Sequence, residues 1–128
     1  MTAVSGNLVG YANIVATVAL TVYGQLVFKW RVDHAGELPA GGSDRLDYLV
    51  RLLVDPWVIS VFATALLASV TWALALTKFE LSFAYPFMAL SFVLVLGFGA
   101  AFLSESLTPA KVIGVLLIVV GLIVGSRT

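Results

Sequence analysis

Residues 8–30 read LVGYANIVATVALTVYGQLVFKW, and this stretch decides the class of fold. It runs for 23 residues and carries no charged side chain before Lys29. A bilayer core about 30 Å thick is crossed by about 20 helical residues. No Lys or Arg precedes Lys29, and the stretch is longer than the apolar part of a secretory signal, which has about 7–15 residues. The stretch therefore predicts a retained membrane-spanning helix.

The composition of the whole chain points the same way. Of 128 residues, 61% are hydrophobic and 11% are charged, and the mean hydropathy is +1.08. Soluble domains are typically about 45–50% apolar and about 25% charged. So few charges cannot cover a water-facing surface, and the same numbers exclude a disordered chain. The net charge is zero, which excludes the basic field that binds nucleic acid. The composition predicts an integral membrane protein.

Three further apolar segments follow the first one. We predict an all-α bundle of four transmembrane helices in a single membrane domain, residues 1–128, with helices at about 8–30, 56–77, 81–103 and 109–125. The last two connections are short, so antiparallel neighbours are expected. Thr108 is a good N-cap and Pro109 suits the first helical position, which marks the start of the fourth helix.

The connection 31–55 is the only long polar stretch. Its first half is rich in turn residues, and Ser43 or Asp44 can cap a short helix that runs to Val54. Apolar residues within it recur at helical spacing: Leu46, Leu49, Val50 and Leu53. Such a helix either lies in the membrane interface or is a solvated loop helix. The pattern leaves both interpretations open.

Polar side chains recur at every fourth position of the first helix. The row comprises Asn13, Thr17, Thr21, Gln25 and Lys29. Four residues leave a rotation of only about 40°, so the row forms one slowly winding stripe about 24 Å long. Polar groups inside a bilayer normally face a bundle interior or a cavity. The stripe predicts either a hydrophilic track or interhelical hydrogen bonding, and the Asn, Gln and Lys in it favour a track.

The third and fourth predicted helices have different features. Pro86 in the third removes a backbone donor and disfavours helix at Tyr85, so we expect an interruption there. The fourth has no polar side chain between Lys111 and Ser126. It does contain three glycines, at positions 114, 121 and 125. Small residues allow close helix approach, so we expect a dimer packed through this helix.

The sequence contains no enzyme constellation, and we expect a protein that is not an enzyme. His34 is the only histidine and cysteine is absent, so neither a catalytic triad nor a zinc site can be assembled. Glu80 and Glu105 stand apart at two predicted helix ends and do not form an evident acid–base pair. No cofactor is expected.

Three stretches carry a resemblance to a known family: TVYGQLVFKW at 21–30, LSFAYP at 81–86, and SESLTPAKVIG at 104–114 with LLIVVG at 116–121. The first resembles the glycine-to-lysine end of the first helix of small multidrug resistance proteins. The second is similar to the start of their third helix, and the last to their Glu-x-Leu ending. The chain therefore resembles the small four-helix, EamA-like members of the drug/metabolite transporter superfamily.

One position separates this chain from the drug exporters. They carry a glutamate three residues before the glycine that Gly24 matches, and here Thr21 stands at that position. Ala-Tyr-Pro-Phe at 84–87 instead resembles the branch that contains the paired subunits proposed to flip undecaprenyl-phosphate-aminoarabinose. The resemblance implies a flippase for a polyisoprenyl-phosphate-linked sugar in the bacterial inner membrane, working as a homodimer or with a related small subunit.

A flippase needs a polar but largely uncharged track, because a full charge at the bilayer centre costs at least about 2.5–3.5 kcal/mol. Lys29 ends the row, where it can meet a phosphate, and Trp30 suits an interfacial anchor. The candidate substrate-binding residues are Lys29, Gln25, Thr21, Asn13, Trp30, Tyr85 and Glu105.

Two other functions remain open. One is an ion-coupled exporter of small cations or drugs that uses Glu80 or Glu105 in place of the missing glutamate. The other is an accessory subunit that does not transport. The distribution of Lys and Arg favours a cytoplasmic 31–55 connection with both termini outside.

Overall fold

The computed structural model describes residues 2–125, with side chains from Asn7 onward, and the regular elements in this range are helical. Their bounds are α1 Thr2–Ala35, α2 Gly42–Leu53, α3 Pro56–Leu76, α4 Leu81–Ala84, a 3-10 segment Tyr85–Ala89, α5 Leu90–Phe102 and α6 Pro109–Gly125. Among the described residues, three spans are long and apolar enough to cross a membrane: Asn7–Ala35, Pro56–Leu76 and Leu81–Phe102. α6 is shorter, with 17 residues. The chain is a multi-pass helical membrane protein.

The polar connection is more helical than its composition predicts. α1 continues to Ala35, beyond the predicted end at Trp30, and Lys29 pairs with Asp33 one turn later at 3.0 Å. The short helix expected in the connection is present as α2. The predicted cap is wrong, because the helix begins at Gly42 behind an N-cap at Gly41 that makes no side-chain bond. Asp44 instead lies inside the first turn, where its charge complements the helix dipole.

α1 is the central helix of the bundle. It packs along α3 for most of its length and against α5 on another side. The buried core consists of Ile14, Val18 and Val22 from α1, Ala75 from α3 and Ala84 from α4. Because the turn at 77–80 and the 3-10 segment lie near the start of α1, α5 runs in the same direction as α1 and α3 runs opposite to it.

A close contact ties the start of α1 to the turn after α3. A Cβ at Gly10 would lie 2.6 Å from Cε2 of Phe79 and 3.0 Å from the Cβ of Lys78. The ring of Phe79 is itself packed against Tyr11, with ring centroids 4.9 Å apart. Glycine is therefore required at position 10 for the turn to lie this close to α1.

The interruption expected at Pro86 takes the form of the 3-10 segment between α4 and α5. The predicted cap of the last helix is confirmed: Thr108 Oγ1 accepts a hydrogen bond from the N–H of Lys111 at 3.2 Å. α6 packs mainly against the 3-10 segment and only lightly against α5. None of its described residues is buried, and a Cβ on Gly114 or Gly121 would meet no atom within 4 Å.

Candidate functional site

The polar row of α1 turns toward α3. Thr17 is buried, and its hydroxyl lies 2.6 Å from the hydroxyl of Thr71 and 2.8 Å from the carbonyl oxygen of Asn13. At this level an interhelical hydrogen bond joins α1 to α3, of the kind that polar residues supply between membrane helices. Further along the row, the side chains of Thr21 and Gln25 line an open groove.

This groove of about 210 Å³ lies between α1 and α3, and we call it the hydroxyl groove. Its lining is Leu20, Thr21, Gly24, Gln25 and Phe28 from α1, and Val61, Thr64, Ala65 and Ala68 from α3. α1 and α3 are close here, and a Cβ on Gly24 would make an ordinary van der Waals contact with Val61 at 3.5 Å. The amide of Gln25 is exposed and makes no hydrogen bond to any described residue. The groove thus offers hydroxyl and amide groups but no charge.

A second cavity of about 250 Å³ adjoins the hydroxyl groove, and we call it the aromatic recess. Its lining is Thr17, Ala68, Ser69, Trp72, Tyr85 and Met88. Ala68 lines both cavities, so they meet along α3. The rings of Trp72 and Tyr85 stand edge to face with centroids 6.3 Å apart. The two cavities run along one side of α1 from Phe28 to the 3-10 segment.

Charged groups gather at the end of α1 beyond the hydroxyl groove. Lys29 is half-exposed and paired with Asp33, and the negative charge of Glu105 lies near enough to act on it. The Glu105 carboxylate folds back onto the end of α5, where a Cβ on Gly99 would be 3.2 Å from its Oε2. Lys29 is therefore bound to one carboxylate and lies within the electrostatic reach of a second.

The neighbouring ion pair joins α1 to the start of α3. Arg31 donates through Nε and Nη2 to Oδ2 of Asp55, at 3.2 and 2.7 Å. The other oxygen of Asp55 caps α3 by accepting from the N–H of Trp57 at 2.9 Å. Burial works against ionisation of this carboxyl. The hydrogen bonds from Arg31 and Trp57, together with the charge of Arg31, nevertheless lower the pKa of Asp55 below its usual value.

A polar recess of about 230 Å³ opens beside this pair. Its lining is Arg31, His34, Ala35, Tyr48, Arg51, Leu52 and Asp55. Each arginine already has a carboxylate partner, because Arg51 pairs with Asp47 at 2.6 Å. The recess is thus close to neutral.

The side of α1 that faces α5 has the opposite character. A groove of about 440 Å³ is lined only by apolar and aromatic side chains: Tyr11, Ile14, Val15, Val18, Ala19, Phe87, Leu90, Val93 and Leu94. A further apolar cavity follows it and shares Ala19 and Leu94. α1 therefore separates a hydroxyl-bearing side from a wholly apolar side.

The seven candidate residues do not form one cluster. Thr21 and Gln25 line the hydroxyl groove together, and Lys29 follows one turn after Gln25. Glu105 lies against Gly99 at the end of α5. Trp30 packs against Trp57 with ring centroids 5.4 Å apart. Two candidates lie elsewhere: Asn13 donates to the carbonyl of Val9 in its own helix, and Tyr85 stands in the aromatic recess. Within residues 2–125, no three His, Asp or Glu side chains are grouped to hold a metal ion.

The candidate residues chosen from the sequence include none from α3, although α3 supplies about half of the lining of both cavities. Thr64, Ala68 and Trp72 recur at four-residue spacing and therefore share one face of α3. That spacing was the available signal. What the sequence did not contain was the identity of the helix that this face meets.

Curated proteins of one kind match most of the chain. A probable 4-amino-4-deoxy-L-arabinose-phosphoundecaprenol flippase subunit ArnF of Aeromonas salmonicida is 32% identical over 114 residues, which is 88% of this chain and 75% of that protein. A probable subunit ArnE of the same flippase from Pseudomonas aeruginosa is 32% identical over 91% of this chain and 96% of its own. The ArnF protein of Sodalis glossinidius is 34% identical over 89% of this chain and 88% of its own. No protein-family model and no solved structure matches the chain.

Proposed function

Because this chain belongs to the family of 4-amino-4-deoxy-L-arabinose-phosphoundecaprenol flippase subunits ArnE and ArnF, we propose that it moves a polyisoprenyl-phosphate-linked aminosugar across the bacterial inner membrane. Its relatives are named as probable flippase subunits, which supports transport rather than catalysis of a reaction.

One observation carries the proposal: an uncharged, hydroxyl-bearing path lies along one side of α1. The hydroxyl groove and the aromatic recess meet at Ala68 and together extend from Phe28 to Tyr85. A sugar that crosses a bilayer exchanges its water for hydrogen bonds to protein groups, which Thr21, Gln25 and Thr64 supply. A fixed charge at this depth would cost several kcal/mol and would hold the phosphate in place.

Lys29 is the phosphate-binding residue in this proposal. It stands at the end of the path, half-exposed, and its partner Asp33 is also half-exposed. An exposed pair of this kind contributes little to stability, so a phosphate can replace Asp33 at low cost. Gln25 lies one turn earlier, and its unpartnered amide can donate to the same phosphate or to the first sugar.

The carboxylates argue against an ion-coupled exporter. Glu80 lies in the turn before α4, and Glu105 lies in the connection between α5 and α6. Both stand at helix ends and are exposed. Proton-coupled exchange requires a titrating group inside the path, and none of the residues that line the two cavities is acidic.

Assembly follows from the free face of α6. We propose that α6 completes a fourth span and that two chains, identical or closely related, pack through Gly114 and Gly121. Neither glycine is used for packing within the described part of this chain. The relatives are named as subunits, which supports an assembly of more than one chain.

The test is binding and flipping of a polyprenyl-phosphate aminosugar by the purified protein in nanodiscs and proteoliposomes. A charge-assisted hydrogen bond is worth about 1.5–3 kcal/mol, so Lys29→Ala should weaken binding about 10–100-fold. Lys29→Arg should restore part of the loss, because the charge survives while its geometry changes. Gln25→Leu should slow flipping without unfolding the protein.

Lys78→Ala is the matched control, because this exposed lysine lies in the turn at the opposite end of the bundle. It should behave like the parent. If Lys29→Ala and Gln25→Leu also bind and flip the lipid like the parent, the polar row serves only to pack helices and the proposed site is wrong.

A further inference from the structure

We propose that the aromatic recess is a sugar subsite, in which Trp72 and Tyr85 hold the ring of an aminosugar and face its ammonium group. The inference rests on the proposed function and deepens it, because it assigns a place to the sugar that is separate from the place of the phosphate.

The recess is an open hollow with a volume of about 250 Å³, which leaves room for one monosaccharide. Two aromatic rings stand edge to face at one side, with centroids 6.3 Å apart. Aliphatic C–H groups of a sugar can lie on one ring while a polar substituent meets the other.

The aromatic residues of the recess carry polar atoms without partners. Neither the indole N–H of Trp72 nor the phenol of Tyr85 forms a hydrogen bond with any residue whose side chain is described. Trp and Tyr normally find partners for these groups when water is absent, because an unpaired donor in an apolar medium costs several kcal/mol. Tyr85 is 65% exposed in the single chain and lies within the apolar span Leu81–Phe102. Sugar hydroxyls would satisfy both groups.

The hydroxyl oxygens in the recess can accept hydrogen bonds from a ligand. Ser69 donates to the carbonyl oxygen of Ala65 at 3.0 Å, which leaves its oxygen lone pairs available. Thr17 belongs to the Thr17–Thr71 contact and is fixed in place by it. The lining therefore offers two donors on the aromatic side and an acceptor on α3.

The charge of the recess selects among sugars. Its lining contains neither an acid nor a base. An ammonium group is stabilised by the negative faces of aromatic rings without a carboxylate, whereas an anionic sugar gains nothing from them. The recess therefore favours a sugar with a protonated amine over a neutral sugar, and a neutral sugar over an acidic one.

The recess cannot act together with Lys29 on one headgroup. Thr17 and Lys29 are twelve residues apart in α1, a rise of about 18 Å. The sugar and the phosphate are directly bonded groups of one molecule, so they cannot occupy the aromatic recess and the Lys29 site at the same time. The recess is thus a second station on the path, occupied when the headgroup has left Lys29.

Three probes separate the two stations in nanodiscs: the methyl glycoside of 4-amino-4-deoxy-L-arabinose, methyl arabinoside with a hydroxyl in place of the amine, and a polyprenyl phosphate without sugar. The readout is the indole N–H resonance of Trp72 by NMR, with Trp57 as an internal control outside the recess. The aminosugar should shift the Trp72 resonance, the neutral sugar should bind more weakly, and the sugar-free lipid should leave it unmoved.

Variants then test whether Trp72 contributes to the affinity for the aminosugar. Trp72→Leu should weaken aminosugar binding roughly 2- to 30-fold, measured by ligand-observed NMR, while Trp72→Phe retains part of it because an aromatic face remains. Phe92→Leu removes an exposed aromatic ring that lines neither cavity and should bind the aminosugar like the parent. Trp72→Leu should bind the sugar-free lipid like the parent, whereas Lys29→Ala should bind it about 10–100-fold more weakly.

Two results would overturn the subsite. One is a Trp72 resonance that does not move at saturating aminosugar, although the parent flips the lipid-linked sugar; the proposed function then stands without this subsite. The other is an equal loss of aminosugar affinity in Trp72→Leu and Phe92→Leu. A parent that binds the aminosugar at Trp72 but neither binds nor flips any polyprenyl phosphate contradicts the proposed function and leaves the recess as an aminosugar site.

Discussion

Asp55 performs two structural tasks with its two oxygens. Oδ1 caps α3 through the N–H of Trp57, and Oδ2 receives the guanidinium of Arg31. The same carboxylate therefore fixes the start of one helix and ties it to the end of another. The cap needs only a hydrogen-bond acceptor, which Asn also supplies, whereas the ion pair needs the negative charge. Asp55→Asn therefore removes the ion pair and keeps the cap.

The pH dependence of stability tests the Arg31–Asp55 pair. The pKa of Asp55 lies below its unfolded value of about 3.9. The contribution of the pair is therefore complete above about pH 4 and is lost as the pH falls through the folded pKa. In detergent, Asp55→Asn should lower the melting temperature at pH 7 and flatten its decline below pH 4.

Two comparisons accompany this measurement. Asp55→Ala removes the cap as well and should melt below Asp55→Asn, since Asn is itself a good N-cap. Asp47→Asn breaks an exposed pair within α2 and should leave the profile close to that of the parent. Identical acid profiles for the parent and Asp55→Asn would show that the pair does not stabilise the fold.

α2 is the helix whose environment, membrane interface or water, can be tested most directly. It is amphipathic, with exposed Leu46, Leu49 and Leu53 on one face and the Arg51–Asp47 pair on the other. A face this apolar is suited to the boundary between headgroups and acyl chains. The two interpretations of its pattern, interfacial helix and solvated helix, predict different accessibilities.

Cysteine labelling distinguishes these interpretations cleanly, because the chain contains no cysteine of its own. Leu49 is 47% exposed and the Asp47 side chain is 61% exposed, so both are accessible in the isolated chain. In proteoliposomes, Leu49→Cys should react with a water-soluble maleimide at least about tenfold more slowly than Asp47→Cys if α2 lies in the interface. Equal rates would identify a solvated helix.

At the scale of the whole molecule, α6 is packed only lightly against the rest of a single chain. It packs mainly against the 3-10 segment, and Gly114 and Gly121 meet no neighbour where a Cβ would stand. These two glycines are seven residues apart and so share a face of the helix. Close approach of backbones through small residues is a common basis of membrane helix association.

Gly121→Leu should weaken self-association or association with a related subunit, because the larger side chain separates the helices. We expect at least about a tenfold rise in the dissociation constant, a loss near 1.4 kcal/mol, measured by energy transfer between labelled chains in bilayers. Val120→Leu enlarges the neighbouring exposed position and is the matched control. A chain that stays monomeric at every protein-to-lipid ratio, alone or mixed with a related subunit, would contradict assembly through α6.

The sequence alone determined the membrane class, the approximate helices, the cap at Thr108 and the existence of a polar row on α1. These features depend on composition, helical period and neighbouring residues, which are local properties of the chain. For the same reason the end of α1 was placed early, since the polar residues after Trp30 continue the helix outside the apolar stretch.

The tertiary structure alone decided which faces meet. The row on α1 faces α3, Trp72 and Tyr85 come together from two sides of a turn, and Arg31 meets Asp55 across the connection. Helical periodicity fixes which residues share a face, but every apolar face of a membrane helix is compatible with lipid. The choice of partner therefore depends on how side chains of several helices pack at once, and no single segment contains that information.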